Sequence, residues 1–545
     1  MKKFILLCTF CWGMLVPGAR ACTSFLAGRN ATIDGSTFIT YAADSHTLYG
    51  ALKFIPAARH PKNSTMEIRE WDTNKLLGHI PQVEYTYKVV GNMNEHQLSI
   101  TESTWGGRPE LVDTTGIIDY GSLMYIALQR AKTAREAITV MTDLVSEYGY
   151  YSSGESFSIA DPEEVWIMEM IGKGPQNQGA VWVAVRIPDD CIAAHANQSR
   201  IHKFPLDDKE NCLYSPDVIS FAREQGYFNG LNKDFSFADA YAPADFGALR
   251  GCEARVWSFY NRFNSSMGKY LSYLNGKSKE YLPLYIKPDK KLSVQDMKDA
   301  MRDHFEGTPF DMTQDVGAGP FKCPYRFRPM TFKVDSVEYT NERAVATQQT
   351  AFTLVAQMRS WLPNAIGGVL WFGVDDTNTC VYVPLYACLN EVPECYSELN
   401  GSMYDLSWTS AFWIHNWVAN MSYSRYDQMI EDIRPVQKDI ETTFYVQQPV
   451  IEKVANDLYR NDPVAAIRFL NAYSVAQAQQ TTVQWKKLGE FLLVKYLDGN
   501  RKKEKGGHFL ENGYGLPADP DFPGYSEEYY RAVAKDAGDR LKVGF

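Results

Sequence analysis

The sequence has 545 residues, a formal net charge of −10 and 45% hydrophobic residues. This acidic balance argues against nucleic acid as a partner, because a protein that binds phosphate backbones needs a basic surface. The length allows two or three domains. After residue 21 there is no apolar run of 18 residues or more, so no stable membrane insertion is expected.

The first 21 residues have the three parts of a signal peptide. Lys2 and Lys3 form a basic start, residues 4–16 are apolar, and Ala19 and Ala21 supply small residues before a cleavage site. Cleavage there predicts an exported protein, periplasmic or extracellular, whose first residue is Cys22. A lipoprotein signal is the alternative, with Cys22 acylated, although such signals usually carry Leu where this chain has Ala19.

A terminal Cys22 would combine a thiol and a free α-amine in one residue. The ordinary pKa values of these groups are about 8.5 and about 7.7 to 8.0, so both can exchange protons near neutral pH. A nucleophile beside its own base is the arrangement used in covalent catalysis. We therefore expect a hydrolase whose active centre is its own N-terminus.

Seven further cysteines would remain in the mature chain, an odd number that cannot all form disulfides. Cys388 with Cys395, and Cys191 with Cys212, are each open to pairing or to remaining as free thiols. No CxxC spacing occurs, which argues against a thiolate zinc site. We expect no metal and no cofactor.

Residues 22–47 are predicted to form a hairpin. Residues 23–27 and 37–42 are strand-like, and Asp34-Gly35 is a turn dipeptide. Pairing these strands brings Cys22 opposite Ala43 and Asp44. The Asp44 carboxylate could then hold the new α-amine, or it could simply end a strand.

Further along the chain, strands are predicted at 156–160, 165–170, 180–187 and 192–196. A helix is predicted to begin with a capping box at Thr133 and Glu136 and to end at Gly149. Asp375 and Asp376 fall in a predicted turn, where paired acids are ordinarily solvated. From about residue 401 the pattern becomes helical, with helices at 408–421, 426–445, 449–456, 463–497 and 526–541.

Several motifs in order resemble the N-terminal-nucleophile (Ntn) cysteine dipeptidases, relatives of choloylglycine hydrolase and penicillin V acylase. The resemblance runs from Cys22 to about residue 440. It is carried by residues 22–24, 34–37, 44–46, 91–97, 196–198, 254–257, 307–311, 341–344, 359–363, 368–376 and 392–395.

The resemblance implies an α+β fold, a four-layer αββα sandwich of the Ntn-hydrolase type, over residues 22–400. Residues 401–545 would form a helical extension that covers the core or builds a homo-oligomer contact. The implied activity is hydrolysis of dipeptides, so the substrates are small peptides. The reaction needs no cofactor.

The resemblance also implies roles for single residues. Cys22 would be the nucleophile, Asp44 would hold the amine, Asn197 would donate to the oxyanion and Arg255 would lie near the thiol. Thr104 occupies the place of an oxyanion-hole Asn in the amidases and is a weaker candidate. Many relatives also carry an Arg where this chain has Tyr41, so the cation that would lower the thiol pKa is missing here.

Other chemistries fit the sequence less well. Gly276-Lys277-Ser278 lacks the first Gly of a phosphate-binding loop, and His195 with His202 has no acidic partner at metal-site spacing. Two alternatives stay open: an amidase acting on acylated amino acids or bile-acid-like conjugates, and a non-enzymatic lipoprotein acylated on Cys22.

Overall fold

The computed structural model describes residues 22–544, so the predicted signal peptide, residues 1–21, lies outside the described residues. Two large antiparallel sheets form its centre. Sheet 1 contains, in spatial order, Tyr285–Ile286, Ile192–His195, Ser24–Ala27, Thr37–Asp44, Thr350–Met358, Val369–Val374 and Val383–Tyr386. Sheet 2 contains Cys212–Tyr214, Ala180–Arg186, Val165–Gly172, Gly154–Ala160, Ser99–Trp105, Met93–Asn94, Val89–Val90 and Phe54–Ile55.

The predicted N-terminal hairpin is confirmed. Leu26 pairs with Ile39, and Thr23 forms a bridge to Ala42, which places Cys22 beside Ala43. Gly35 has a φ of 88°, a left-handed conformation that glycine adopts without steric cost. The start of the described chain therefore lies in the middle of sheet 1.

The two sheets face each other, and side chains alternate between the two faces of each strand. In the strand Val165–Gly172, Val165 and Ile167 pack in the hydrophobic cluster that contains the sheet 1 residues. Trp166 and Met168 pack in a second cluster, with the helices outside sheet 2. Hydrogen bonds also join the sheets, as from Thr101 Oγ1 to the Thr40 carbonyl at 3.2 Å.

Helices cover the outer faces of both sheets. Outside sheet 1, the Phe259 ring stacks on Phe25 with centroids 4.1 Å apart. Helices of eight or more residues are Tyr120–Arg130, Ala134–Tyr148, Ala254–Phe263, Val294–Met301, Ala411–Tyr423, Tyr426–Tyr459, Pro463–Lys495 and Glu527–Ala537. The predictions of a mixed α and β fold and of a helical C-terminal region are thus confirmed.

One of the two hydrogen bonds of the capping box predicted for the helix Ala134–Tyr148 is present. The Thr133 hydroxyl accepts a hydrogen bond from the Glu136 amide at 3.2 Å, as a capping box requires. The Glu136 carboxylate, however, accepts from the Lys132 amide at 2.7 Å. The helix ends at Tyr148, before Gly149, as predicted.

The prediction of two separate helices at 426–445 and 449–456 is wrong. One helix of 34 residues, Tyr426–Tyr459, runs through both segments and contains Pro435 and Pro449. A proline removes one backbone hydrogen bond and usually kinks or breaks a helix. Here packing against the long helix Pro463–Lys495 and against sheet 1 maintains the helix across both prolines.

The expectation that Asp375 and Asp376 are solvated is also wrong. Both are buried, with 1% and 0% of their surface exposed. Asn416 donates to Asp375 at 2.9 Å, and the Tyr423 hydroxyl donates to Asp376 at 2.9 Å. Burial raises the pKa of Asp375 to about 8. This turn is therefore an anchor for the helix Ala411–Tyr423.

All eight cysteines of the described chain are free thiols, so neither candidate disulfide forms. Within residues 22–544 no helix is both long and apolar enough to cross a bilayer. In the same part of the chain, no group of three or more His, Cys, Asp and Glu is arranged to hold a metal ion.

A buried ion pair connects the C-terminal helices to the core. Arg302 donates to Glu441 at 2.6 Å, and Glu441 also accepts from the Tyr382 amide at 2.9 Å. Burial alone would raise the pKa of Glu441, but the charges of Arg302 and Lys298 outweigh this effect and lower it. Removing one member of a buried pair leaves the other charge uncompensated.

We predict that Glu441→Ala lowers the free energy of unfolding by about 3 to 5 kcal/mol, because Arg302 and Lys298 lose their buried anion and Arg302 keeps only the half-exposed Asp299. Denaturant unfolding followed by circular dichroism measures this. Asp439→Ala, at an exposed position of the same helix, is the control and should change stability by less than about 0.5 kcal/mol. Equal effects of the two substitutions would contradict the assignment.

Candidate active site around Cys22

Cys22 lies at the start of the inner hairpin, two residues before the strand Ser24–Ala27. Only 5% of its surface is exposed. The next residue, Thr23, is joined to Ala42 by two backbone hydrogen bonds of 3.3 and 3.0 Å. The nucleophile candidate is thus held by the central strands of sheet 1 rather than by a loop.

Arg255 binds the backbone of Cys22. Its helix, Ala254–Phe263, follows a π-helical turn at Leu249–Glu253, and the side chain is 1% exposed. The five N–H groups donate to five oxygens: Gly251 O (2.7 Å), Cys22 O (2.7 Å), Thr23 Oγ1 (2.7 Å), Ala196 O (3.0 Å) and Asn197 Oδ1 (3.0 Å). Burial, and then the charge of Arg343, lower the pKa of Arg255 to about 10, so it stays charged at neutral pH.

Asn197 follows the strand Ile192–His195 and has a φ of 61°. Asparagine is one of the few residues that adopt this left-handed conformation readily. Its side-chain Nδ2 donates to the Thr104 carbonyl at 2.6 Å, and its backbone amide donates to Ser103 Oγ at 3.3 Å. The Asn197 amide is therefore held between the end of one sheet 1 strand and the strand Ser99–Trp105 of sheet 2.

His195 supports this arrangement as a neutral residue. It is fully buried, and its two ring nitrogens bond to Ser103 Oγ at 2.6 Å and Ser158 Oγ at 2.7 Å. Burial, and then the charge of Arg200, lower the pKa of His195 to about 3. Because both ring nitrogens are hydrogen-bonded to serines of sheet 2, His195 joins the two sheets and has a structural role.

Thr104 reaches the site through its backbone. Its carbonyl accepts from Asn197, whereas its hydroxyl donates to Glu155 Oε2 at 2.9 Å. The structure thus brings Cys22, Arg255, Asn197 and Thr104 into one connected hydrogen-bond network.

Asp44 lies at the end of the strand Thr37–Asp44 and is 1% exposed, and its backbone is within hydrogen-bonding reach of the Cys22 thiol. Its carboxylate forms an ion pair with Arg343 and accepts from Thr350 Oγ1 at 2.6 Å. Burial raises the pKa of Asp44, and the Arg343 charge and the Thr350 hydrogen bond oppose this rise. Asp44 is therefore a fixed acceptor beside the first residue of the hairpin.

The surroundings of the Cys22 sulfur are acidic. Sγ lies 3.4 Å from Glu102 Oε1 and 3.8 Å from the Tyr41 hydroxyl, which itself donates to Glu102. Burial, and then the negative charge of Glu102, raise the pKa of the Cys22 thiol well above its ordinary value. Tyr41 carries no positive charge, and Arg255 contacts the Cys22 carbonyl rather than the sulfur. Arg255 therefore does not supply the cation that is missing at position 41.

Sequence reasoning missed three charged residues of this site: Glu102, Glu155 and Arg343. Arg343 belongs to one of the motifs behind the resemblance, but it lies 299 positions from Asp44, and nothing in the sequence connects them. Glu102 and Glu155 could have been noticed, because each is an acidic residue within a strand. Nearly all other residues of these strands are buried in the structure, and buried acids are rare.

Comparison with known proteins identifies the family of this chain. The sequence profile of Peptidase family C69 matches residues 21–439. The chain belongs to peptidase family C69. Among C69-like relatives, it is 27% identical over 425 residues to a probable dipeptidase of Latilactobacillus sakei (74% of this chain, 82% of that protein) and 27% identical over 408 residues to one of Salmonella dublin (71% and 85%). A probable dipeptidase B of Streptococcus pyogenes serotype M1 is 23% identical over 512 residues (88% and 94%).

The predicted resemblance to dipeptidases is therefore confirmed, and the C69 membership supports a peptide hydrolase. The matched region includes all five of the predicted site residues, Cys22, Asp44, Thr104, Asn197 and Arg255.

We predict that Arg255→Lys destabilises this C69 protein and lowers its activity. One ammonium has three hydrogens, so at least two of the five acceptors lose their donor, at about 1 to 3 kcal/mol for each buried group. Thermal unfolding and peptidase assays measure the two effects.

Arg262→Lys is the matched control, because Arg262 lies on the same helix, is partly exposed and contacts Asp303 through one N–H. It should be close to neutral. An Arg255→Lys protein with native stability and activity would contradict a role for the five-donor arrangement.

Proposed function

We propose that this protein is an exported cysteine dipeptidase of the Ntn type, in which Cys22 is the first residue of the mature chain. The observation that carries the proposal is the convergence of distant segments on Cys22. Arg255 and Asn197, more than 170 positions away in sequence, are joined to each other and to the Cys22 carbonyl by hydrogen bonds of 2.7 to 3.0 Å. Such preorganised polar contacts to the backbone of one cysteine hold its thiol in a fixed place and favour a nucleophilic role.

In the proposed reaction, the α-amine of Cys22 takes the thiol proton, and the sulfur attacks the carbonyl carbon of the peptide bond. The tetrahedral oxyanion then collapses, the amine gives its proton to the leaving nitrogen, and a thioester remains on Cys22. A water molecule, deprotonated by the same amine, hydrolyses the thioester and restores the thiol.

Each further residue has a defined part in this proposal. The Asp44 backbone lies against the Cys22 thiol, and we assign to its carboxylate the stabilisation of the protonated amine. The Asn197 amide donates to the oxyanion, a contribution worth about 2.7 to 4 kcal/mol in a comparable hydrolase. Arg255 fixes the Cys22 carbonyl, and Thr104 positions Asn197 through its own carbonyl.

The fold and the leader are consistent with this assignment. Two facing sheets with helices on both outer faces suit the Ntn-hydrolase sandwich, with the nucleophile on an inner strand. We propose that residues 1–21 direct export and are removed, so that the enzyme acts in the periplasm or outside the cell.

The names of the relatives favour dipeptides over acylated amino acids or bile-acid-like conjugates as substrates. The amidase alternative uses the same catalytic atoms, and a direct comparison of dipeptides with acyl amides distinguishes the two. The lipoprotein alternative requires a blocked Cys22 amine and therefore excludes the proposed base.

We predict that Cys22→Ala abolishes release of alanine from L-Ala-L-Ala, with a loss of at least about 10³-fold, because no other group can form the thioester. Cys191→Ala, at a buried cysteine of another segment, should retain activity and serves as the control. Substantial turnover by Cys22→Ala would contradict the proposal.

Moving the amine is a second test of the same proposal. We predict that a mature chain with one extra residue before Cys22 loses nearly as much activity as Cys22→Ala, because the base is displaced while the thiol remains. Intact mass confirms the added residue, and the same L-Ala-L-Ala assay measures turnover. Full activity of the extended chain would show that another group is the base.

A further inference from the structure

The proposed mechanism leaves two buried acids beside Cys22 without a role. Glu102 is 1% exposed and Glu155 is fully buried. They lie on adjacent strands of sheet 2, where Thr104 pairs with Glu155 and Glu102 is the next residue on the same face of its strand. Glu102 Oε1 lies 3.4 Å from the Cys22 sulfur.

These two carboxyls behave as one unit, which we call the acid pair. They are within hydrogen-bonding reach of each other, and burial together with the charge of Glu102 raises the pKa of Glu155 well above its ordinary value. The charge of Glu102 thus favours the protonated form of Glu155, and the negative charge that needs compensation is the one that Glu102 places beside the Cys22 sulfur.

Neither carboxylate forms an ion pair with a cationic side chain of residues 22–544. The contacts of the acid pair there are with neutral groups: the Cys22 thiol, the Tyr41 hydroxyl and the Thr104 hydroxyl. Glu102 Oε2 and Glu155 Oε1 have no hydrogen-bond partner among residues 22–544. A buried charge without a counter-charge is costly. The α-amine of Cys22 must be neutral to act as the base, so in the reactive state the compensating cation has to come from outside.

A bound metal does not fit this requirement, because the acid pair is not part of any described group of three or more metal-ligating side chains. The cation must also fit beside the nucleophile. An organic ammonium carried by the substrate meets both conditions, because it forms charge-assisted hydrogen bonds with carboxylates.

We propose that the acid pair binds the α-ammonium group of the first residue of the substrate. This inference rests on the proposed function, and it defines the substrates as peptides with a free N-terminus. The scissile bond is then the first peptide bond, because the ammonium fixes the position of the adjacent carbonyl.

The distances agree with this assignment. In any peptide the α-nitrogen lies about 2.5 Å from the carbonyl carbon of its own residue. A nucleophile approaches that carbon at about 3 to 3.5 Å, and an ammonium–carboxylate hydrogen bond spans about 2.7 to 2.9 Å. An acid 3.4 Å from the sulfur is therefore within reach of the ammonium of a peptide whose first carbonyl is being attacked.

The acid pair also bears on the reactivity of the thiol. A thiolate next to a carboxylate is unfavourable, which is why Glu102 contributes to the raised pKa of Cys22. A bound ammonium would offset the negative charge of the acid pair and so favour the thiolate when a correct substrate is present. An acyl group without an amine would bring no such compensation and would leave the buried charge unpaired.

The test compares L-Ala-L-Ala with N-propionyl-L-alanine, which differs only in having hydrogen in place of the α-amine. For the wild-type enzyme we expect kcat/KM to be at least about 100-fold higher for the dipeptide. For Glu102→Gln we expect the two kcat/KM values to differ by less than about 5-fold. The change should come from a lower kcat/KM for the dipeptide, with that for N-propionyl-L-alanine unchanged. Glu147→Gln, at an exposed position outside the site, should keep the wild-type ratio.

Each outcome separates the two proposals. Equal turnover of both compounds by the wild type would overturn the ammonium assignment and leave the proposed hydrolase intact. No turnover of either would overturn the proposed function itself. If Glu102→Gln folds, as judged by its thermal unfolding, but loses activity on both compounds equally, the acid pair does not recognise the ammonium. If that variant does not fold, the wild-type ratio alone decides.

Discussion

Five hydrogen bonds from Arg255 join three segments that are far apart in the sequence. They bind the carbonyl of Cys22, the carbonyl of Ala196 and the side chain of Asn197 to one helix. A planar guanidinium suits this task because its donors have fixed directions and its charge persists under burial. Strand pairing of Ser24 with His195 brings the start of the hairpin beside the turn at Asn197, and the Arg255 bonds then fix the Cys22 carbonyl and the Asn197 side chain to the same group.

The distribution of charge around Cys22 follows from this arrangement. Because Arg255 acts on the backbone, it leaves the sulfur next to Glu102, in surroundings that favour the protonated thiol. Tyr41 donates a hydrogen bond to Glu102 and adds no positive charge beside the sulfur. Activation of the thiol must then come from the α-amine and from the substrate, which connects the proposed mechanism with the proposed recognition of an ammonium group.

Much of the central fold could be predicted from sequence because the signals there are local. Alternating apolar residues and the Asp34-Gly35 turn define the N-terminal hairpin, and four strands between residues 154 and 196 lie within two residues of their predicted bounds. The prominence of Asn197 and Arg255 came from the resemblance to a family. Taken alone, an asparagine after a strand and an arginine in a helix have many ordinary explanations.

What could not be predicted depends on partners that are distant in the sequence. Asp375 and Asp376 are buried because Asn416 and Tyr423 supply donors from a later helix. The acid pair exists only because the strand register places Glu155 diagonally opposite Glu102. The helix Tyr426–Tyr459 continues through Pro435 and Pro449 because tertiary packing compensates for the lost backbone bonds.

The central claim is that a free α-amine and a thiol belong to the same terminal residue. Intact-mass analysis of the active protein, isolated after export and combined with sequencing of its N-terminal peptide, tests this claim most directly. The account predicts a chain that begins at Cys22 with an unmodified amine. An active protein that begins at another residue, or whose Cys22 carries an acyl group on nitrogen or sulfur, would contradict it.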